Sequence, residues 1–230
     1  MPDDTRNDIV RHKFDVKTAI LVDGGFYRKR AHYHWGEKTP KERADELQNY
    51  CMKLLKNRKE YRQLYRIFYY DCPPINKKVY HPLLGKVKDL GKSDEYKWAT
   101  EFYSELRCKR KFAIRLGTLS ENTAQYILKP DVVKKLINHT ITIDDLTESD
   151  FQFHVEQKGV DMRIGVDIIS MALKKQVDQI ILISGDSDFV PAAKQGRREG
   201  LDVILAPMGA TIKPDLHEHI DGLINTVSLD

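Results

Sequence analysis

Residues 18–26 of the chain read TAILVDGGF. It is a short apolar run, rich in β-branched residues, that ends in an aspartate and two glycines. This pattern predicts a buried strand that reaches a tight turn. We therefore expect Asp23 at the carboxyl end of that strand.

Strand and helix patterns alternate along the rest of the chain. Residues 40–58 begin with a proline and repeat apolar positions as an amphipathic helix does. Further helices are expected over 93–107, 160–176, 191–200 and 212–219, and further strands over 64–74, 111–117, 151–158, from 179, 201–207 and 222–227. Such alternation predicts an α/β fold with a mostly parallel central sheet and helices on both faces.

The chain length of 230 residues suits one α/β domain with an insertion. We expect an N-terminal tail over residues 1–16 and a single domain over 17–230. The insertion, at about 118–150, is polar and irregular with one short helical stretch. A segment of this kind near the active edge could form a lid, a substrate-selecting arm or a dimer contact.

Composition describes an ordinary globular protein, with 41% hydrophobic and 31% charged residues. No apolar run approaches the roughly 18 to 20 residues of a spanning helix, and the first residues lack the apolar core of a signal peptide. These features predict a cytoplasmic protein without a membrane partner. The three cysteines are too widely spaced to indicate a disulfide framework or a zinc site.

Three aspartates follow predicted strands. Asp23 ends the first strand, and Asp186 and Asp188 lie just after the strand that begins at residue 179. In parallel sheets, ligands bind beyond the carboxyl ends of the strands where the strand order reverses, so these acids should converge there. Asp186 and Asp188 could instead cap a helix, although two capping acids in one turn leave one carboxylate unexplained.

Two more aspartates share one face of the helix predicted over 160–176. Asp161 and Asp167 lie about 60° on either side of Ile164, which belongs to the apolar stripe. Both are therefore expected to face the buried side, where an unpaired carboxylate costs several kcal/mol. Helix capping is an alternative for Asp161, whereas Asp167 lies too deep in the helix for that role.

Clustered carboxylates repel one another unless a cation neutralises them. An oxygen-only ligand set suits Mg²⁺ or Mn²⁺ rather than zinc. Such a site can hydrolyse phosphodiester bonds without a nucleophilic side chain, and motifs for nucleophilic catalysis are missing from the sequence. Ser184 and Ser187 flank Asp186, and a capping role is favoured for both over contact with a phosphate.

Positive charge is concentrated in two segments, although the net charge is only +4. Residues 38–66 hold nine Lys and Arg against four acids, and residues 107–115 hold five against none. Such clusters suit a polyanionic partner. Solvated helix faces are an equally good explanation for either cluster alone.

Three blocks of sequence carry a family resemblance: ILVDGGF (20–26), KGVDMRIGVDIISMAL (158–173) and ILISGDSDFVPAAKQGRREGLDVILA (181–206). Together they resemble the NYN domain, specifically its LabA-like branch within the PIN-like nuclease superfamily. The similarity is close over residues 18–35 and 156–226. The segment ATIKPDLHEHIDGLI (210–224) is similar to the usual ending of the family, with Asp221 as its acid.

The resemblance implies a Rossmann-like three-layer sandwich of PIN-like type that binds Mg²⁺ or Mn²⁺ and cuts RNA. Carried over to this sequence, the catalytic and metal-binding acids are Asp23, Asp161, Asp186 and Asp188, with Asp167 as a fifth candidate metal ligand. Basic residues beside the motifs could hold the nucleic-acid backbone, and solvated surface charge is the alternative for any single one of them. These residues are Arg28, Arg30, Lys158, Arg163, Lys194 and Arg197. Apart from the resemblance, Asp71 lies at the end of its own strand and could add a carboxylate behind the metal ligands.

The leading hypothesis is therefore a metal-dependent endoribonuclease with RNA as its partner. Two alternatives stay open: a non-catalytic nucleic-acid-binding or regulatory module of the same fold, and a nuclease acting on DNA or flaps. Retention of all the acids favours an enzyme. A homodimer is the other partner arrangement considered.

Overall fold

The structure is a computed structural model that describes residues 15–57 and 60–227. Its strands are β1 (Asp15–Asp23), β2 (Tyr61–Asp71), β3 (Lys78–His81), β4 (Lys86–Asp89), β5 (Phe112–Leu116), β6 (Thr118–Leu128), β7 (Phe151–Lys158), β8 (Gln179–Ile183), β9 (Asp202–Leu205) and β10 (Gly222–Leu223). Its helices are α1 (Gly24–Trp35), α2 (Pro40–Leu54), α3 (Asp94–Cys108), α4 (Pro130–Ile137), α5 (Val160–Leu173), α6 (Val190–Arg198) and α7 (Pro214–Glu218). Residues 1–14 of the predicted tail lie outside the described residues.

A six-stranded sheet forms the centre, in the order β10-β9-β8-β1-β2-β5. Every neighbouring pair in it is parallel, which confirms the predicted parallel sheet. From β1 the chain builds outward through β2 and β5, and it then returns to the other side of β1 to add β8, β9 and β10. The strand order therefore reverses between β1 and β8, and a crevice forms there beyond the carboxyl ends of the strands.

Helices cover both faces of the sheet. On one face Ile20 and Val22 pack with Tyr27 of α1, Leu47 of α2 and Phe102 of α3. The opposite face packs Ala19 and Leu21 against Ile164 and Ile168 of α5 and Ala193 of α6. Burial on both faces explains why β1 is a continuous apolar run rather than an alternating one. The three-layer α/β architecture is thus confirmed.

The turn expected after Asp23 is the start of a helix that the sequence analysis did not predict. Helix α1 begins at Gly24, directly after β1, and packs against β2. A Cβ atom at Gly24 would lie 2.6 Å from both the Tyr69 ring and Asp71 Oδ2. Glycine is therefore needed here because the helix approaches β2 so closely.

The segment 118–150, expected to be irregular, contains a long strand. Strand β6 pairs antiparallel with β7, so the predicted strand at 151–158 is real but lies outside the main sheet. Strands β3 and β4 form a second antiparallel hairpin. The His81 ring joins the two hairpins, since its centroid lies 4.5 Å from that of Tyr126 and 5.0 Å from that of Phe151.

Other predicted boundaries differ by a few residues. Helix α3 follows Ser93, whose hydroxyl accepts a hydrogen bond from the Tyr96 amide at 3.1 Å, as an N-cap does. The strand expected over 222–227 is limited to Gly222–Leu223. In the described part of the chain, no helix is both long and apolar enough to cross a membrane.

Candidate functional site

Strands β1 and β8 bring Asp23 and Asp186 to the same edge of the sheet. The Ser184 hydroxyl donates to Asp23 Oδ2 at 3.2 Å and accepts from the Asp186 amide, also at 3.2 Å. Ser184 is fully buried, so it is a fixed link between the end of β1 and the turn that follows β8. The serine therefore acts as a bridge between the ends of the two central strands.

Asp23 also caps helix α1. Its Oδ1 atom accepts a hydrogen bond from the Phe26 amide at 3.0 Å. Burial raises the pKa of Asp23 above the usual value, while the hydrogen bonds from Phe26 and Ser184 oppose that rise. The nearby charges of Asp161 and Asp71 raise the pKa further. Asp23 is thus positioned by the backbone and lies in a negative field.

Asp186 and Asp188 have different local roles. Asp186 Oδ1 accepts the Asp188 amide at 3.0 Å and caps the short 3₁₀ turn over 187–189. The Asp188 side chain is exposed and forms no hydrogen bond or ion pair within residues 15–57 and 60–227. One acid in this turn is therefore a cap, and the other carboxylate is free.

Asp161 lies in the first turn of α5, which follows Gly159 with a φ of +80°. Gly159 provides no capping side chain, and Asp161 caps nothing. The expectation that Asp161 faces the buried side is wrong: its side chain is exposed, and the stripe enters the core only at Ile164. Helical periodicity shows which face of a helix a residue lies on. It does not show whether the core covers that part of the helix.

The surroundings of Asp161 are negative. Although the side chain is exposed, neighbouring residues remove part of the water around its carboxylate and raise its pKa, and the charges of Asp186 and Asp188 raise the pKa further. The described residues offer its carboxylate no hydrogen-bond donor and no cation. Asp161, Asp186 and Asp188 are therefore close enough to repel one another across the edge of the sheet.

Asp167 occupies a different position. It is half-buried, accepts a hydrogen bond from the Tyr70 hydroxyl at 2.7 Å, and lies 3.3 Å from Arg115 Nε. Asp71 and Asp221 are neutralised in the same way, by Arg28 and Arg197 respectively. These three acids have cationic partners, whereas Asp23, Asp161, Asp186 and Asp188 have none among the described residues. We call the latter four the acidic edge.

The donor set of the acidic edge fits a hard divalent cation. It offers carboxylate oxygens, a neighbouring hydroxyl and uncompensated negative charge, the chemistry that Mg²⁺ and Mn²⁺ prefer. No three of its carboxylate oxygens, one from each acid, lie within 4.8 Å of one another in the described structure. Within the described residues, the group with three ligand atoms inside 4.8 Å is Asp215, Glu218 and His219 on the exposed surface of α7. His219 and Asp215 already contact each other at 3.4 Å.

The predicted nucleic-acid-binding residues divide into two groups. Arg28 and Arg197 pair with Asp71 and Asp221, and Arg30 donates from Nε and Nη2 to the Met208 carbonyl at 3.0 and 2.8 Å. These three side chains support the fold. The side chains of Lys158, Arg163 and Lys194 are exposed. Among the described residues, only Lys158 has an ion-pair partner, Glu156, at 3.4 Å.

The sequence analysis did not identify one cation at this edge. Lys213 Nζ donates to the Ser187 hydroxyl at 3.1 Å, which places an ammonium group beside the turn that carries Asp186 and Asp188. Lys213 lies just before the short helix α7, 25 residues beyond Asp188. No local pattern marks it, because its position depends on the return of the chain to the crevice after β9.

Comparison with known proteins assigns the family. The family model for the NYN domain matches residues 99–225, more than half of the chain. That region contains Asp161, Asp186 and Asp188, while Asp23 precedes it. No functionally curated protein matches the chain. A protein of unknown function from Vibrio parahaemolyticus has a similar structure, with 17% identity, a TM-score of 0.46, and coverage of 97% of this chain and 95% of that one. NYN domains are part of the PIN-like nuclease superfamily, and this chain belongs to the NYN domain family.

Proposed function

We propose that this protein is a metal-dependent endoribonuclease that hydrolyses RNA phosphodiester bonds at the acidic edge. Membership of the NYN family supports a nuclease role in general. The observation that carries the proposal is the contrast among the acids. Asp71, Asp167 and Asp221 have cationic partners, whereas the four acids of the acidic edge have none among the described residues.

The four acids have complementary roles in this proposal. Asp23 and Asp186 are held by backbone amides and Ser184, so they form the fixed side of the site. The side chains of Asp161 and Asp188 form no hydrogen bond or ion pair within the described residues, and they approach from α5 and the 3₁₀ turn. All four would hold Mg²⁺ or Mn²⁺, which when bound activates water and neutralises the phosphate. Asp167 stays with Arg115 and Tyr70, outside this set.

Positively charged residues would hold the substrate. Lys213 lies beside the acidic turn and can bind a phosphate oxygen next to the scissile bond. Arg163 is exposed one turn beyond Gly159, and Lys158 and Lys194 are exposed on β7 and α6. Contacts of this kind bind the phosphate backbone without reading sequence. The choice of RNA, the LabA-like branch and a cytoplasmic location rest on the sequence arguments above.

The decisive experiment compares Asp186→Asn with Asp215→Asn. Asparagine at 186 keeps the oxygen that caps the turn but removes the charge, so the fold should persist. We expect labelled single-stranded RNA to be cut by the parent protein with Mn²⁺, and the rate to fall roughly 10²- to 10³-fold in Asp186→Asn, the range for loss of one group that stabilises transition-state charge. Asp215→Asn should cleave like the parent.

Each departure from this result has a definite meaning. Unchanged turnover in Asp186→Asn would contradict the proposed site, and loss of turnover in Asp215→Asn would move the metal to the α7 group. Faster cleavage of DNA than of RNA would contradict the substrate. Tight RNA binding by the parent without cleavage would identify a non-catalytic binding module.

A further inference from the structure

A cavity of about 860 Å³ opens between α3, the loop that follows β2, and the β6–β7 hairpin. Its volume lies within the roughly 300–1,000 Å³ of typical ligand sites. Five aromatic side chains line it: Tyr96, Trp98 and Tyr103 from α3, and Tyr126 and Phe153 from the hairpin. We call it the aromatic cavity. The function proposed so far does not use it.

Two elements connect the aromatic cavity to the acidic edge. Asp71, which lines the cavity, ends the strand next to β1, and its Oδ2 would lie 2.6 Å from a Cβ on Gly24, the residue after Asp23. Strand β7 supplies Phe153 to the cavity and then continues through Gly159 into the helix that carries Asp161. The cavity therefore lies beside the end of β2 and shares β7 with the segment that leads to Asp161.

The two aromatic walls are held in place by their own contacts. The Trp98 ring stacks on Phe102, with centroids 5.0 Å apart and an angle of 21° between the planes, and its Nε1 donates to the Lys38 carbonyl at 2.9 Å. On the opposite wall, the Tyr126 and Phe153 centroids are 5.7 Å apart. Trp98, Tyr126 and Phe153 stay partly exposed. His81 and Lys88 already contact the Tyr126 ring, with the His81 centroid 4.5 Å and Lys88 Nζ 5.4 Å from its centroid. The Trp98 and Phe153 rings are fixed and partly exposed, and such rings suit the stacking of a flat ligand.

The charges around the cavity favour a neutral group over a phosphate. Lys38 and His32 line it, but so do Glu37, Asp94 and Glu95. Arg28 and Arg43 also line the cavity, but their guanidinium groups are already paired with Asp71 and Glu46 respectively. A phosphate would therefore meet mixed charge, whereas a nucleobase needs only stacking surfaces and polar edges. The Tyr96 hydroxyl and the Gln157 amide, which have no hydrogen-bond partner in the described structure, offer such edges.

We propose that the aromatic cavity binds one unpaired nucleobase of the strand whose phosphodiester lies at the acidic edge. This inference rests on the proposed function and adds a substrate class to it: RNA that is single-stranded or has a base turned out of its stack. A base in a duplex would first have to unpair and unstack, which costs a few kcal/mol. Selection of unpaired RNA follows from the shape of the site.

The test measures binding alone, in the full chain with Asp186→Asn and without divalent metal. The probe is a fluorescently labelled single-stranded oligoribonucleotide, and the readout is its Kd by anisotropy. We expect Trp98→Ala and Phe153→Ala to weaken binding about tenfold, within the range for loss of one base-stacking contact. Tyr61→Ala is the matched control, because Tyr61 is an exposed aromatic residue at the amino-terminal start of β2. It should leave the Kd unchanged.

Two further variants separate binding from folding. Ala99 lines the cavity, so Ala99→Trp fills the space without removing a wall and should weaken binding as much as Trp98→Ala. Trp98→Phe keeps a stacking ring and should restore most of the affinity. In the parent, removal of one base from the oligonucleotide should weaken binding as much as Trp98→Ala does. The same abasic oligonucleotide should bind the Ala99→Trp protein as tightly as the intact one does, because the filled cavity holds no base.

The proposal is overturned if Ala99→Trp and Trp98→Ala bind the single strand as tightly as the Asp186→Asn parent. It is also overturned if every abasic position is neutral, or if the variants weaken duplex RNA binding equally. Because no cleavage is measured, these outcomes are independent of catalysis. Absence of cleavage by the native protein, together with the expected binding losses, would reject the proposed function and keep the cavity assignment.

Discussion

At the scale of single residues, the acids near the crevice differ in what balances their charge. The side chain of Asp161 has no cation or donor in the described structure, and it is close enough to Asp186 and Asp188 for their charges to raise its pKa. Asp167, two turns further along α5, is balanced by Arg115 and the Tyr70 hydroxyl. The charge of Asp161 therefore destabilises the metal-free fold by repulsion, whereas the charge of Asp167 stabilises it through an ion pair.

This difference predicts opposite effects of two asparagine substitutions in the same helix. Asp161→Asn removes repulsion, so the metal-free protein should melt at a higher temperature, while the stabilisation by Mn²⁺ should be lost. In the parent, Mn²⁺ at about 100 times its Kd should raise Tm by roughly 5–10 °C. Asp167→Asn should lower the metal-free Tm and retain the Mn²⁺ shift. Thermal unfolding with and without MnCl₂ measures both.

The two variants control for each other, since each removes one carboxylate from α5. A full Mn²⁺ shift in Asp161→Asn would contradict its place at the metal. Loss of the shift in Asp167→Asn, with the fold intact, would return that residue to the ligand set.

At the scale of elements, the packing of α1 on β2 fixes the geometry around Asp23. The helix starts directly after the strand, and a Cβ on Gly24 would lie 2.6 Å from the Tyr69 ring and from Asp71 Oδ2. Its neighbour Gly25 is exposed, and a Cβ there would meet only Asp23 Oδ1, at 3.6 Å. A side chain therefore has no room at Gly24, whereas the adjacent Gly25 has room for one.

We predict that Gly24→Ala destabilises the protein by about 1–3 kcal/mol, the usual cost of overpacking a tight contact. Gly25→Ala should leave the free energy of unfolding unchanged or raise it slightly, because alanine favours a helix over glycine. Urea unfolding followed by circular dichroism compares the two. Equal effects of the two substitutions would mean that the close approach of α1 to β2 is not a constraint on stability.

Elements with a local signal were predictable from the sequence, and those fixed by distant partners were not. Helix α3 has its own cap in Ser93 and its own apolar face, so its limits could be predicted within a residue. Strand β6 is half-exposed, polar in its middle, and pairs with β7 across an intervening helix. Its stability comes from that pairing, which no local pattern reveals.

The candidate site shows the same division. Strand ends place Asp23, Asp186 and Asp188 because a parallel sheet gathers its carboxyl ends at one edge. Periodicity placed Asp161 and Asp167 on one helix face but could not show that one is exposed at the edge while the other meets Arg115. Arg115 and Lys213 reach the acids from distant elements, so spacing in the sequence could not identify them.

At the scale of the whole molecule, the described core contains five tyrosines. Tyr27, Tyr50, Tyr69, Tyr70 and Tyr103 are buried, and burial raises the pKa of each above the ordinary value of 10.0. Burial also raises the pKa of the Cys51 thiol above 9.0. Above those values the unfolded chain loses protons that the folded protein keeps, so stability falls as pH rises.

We therefore predict steep alkaline unfolding. The free energy of unfolding should be maintained below about pH 9 and should then fall, by about 1.4 kcal/mol per pH unit for each tyrosine still protonated in the fold above pH 10. Tyrosinate absorbance from the buried rings should appear only as the far-ultraviolet circular dichroism is lost. Tyr50→Phe should make the fall less steep. Full tyrosinate absorbance with a native circular dichroism spectrum would contradict the prediction.

The position of β1 in the sheet has a consequence for the order of events during synthesis. β1 is flanked by β2 and β8, and the Thr18–Gln179 contact between β1 and β8 spans 161 residues of chain. The ribosome adds roughly 5–20 residues per second, so β8 becomes available to β1 about 8–32 s after β1 has been made. Until then Asp23 has no Asp186 or Ser184 beside it, and the nascent chain lacks an assembled acidic edge. Any cleavage at the acidic edge would therefore begin only after β8 has been made and has paired with β1.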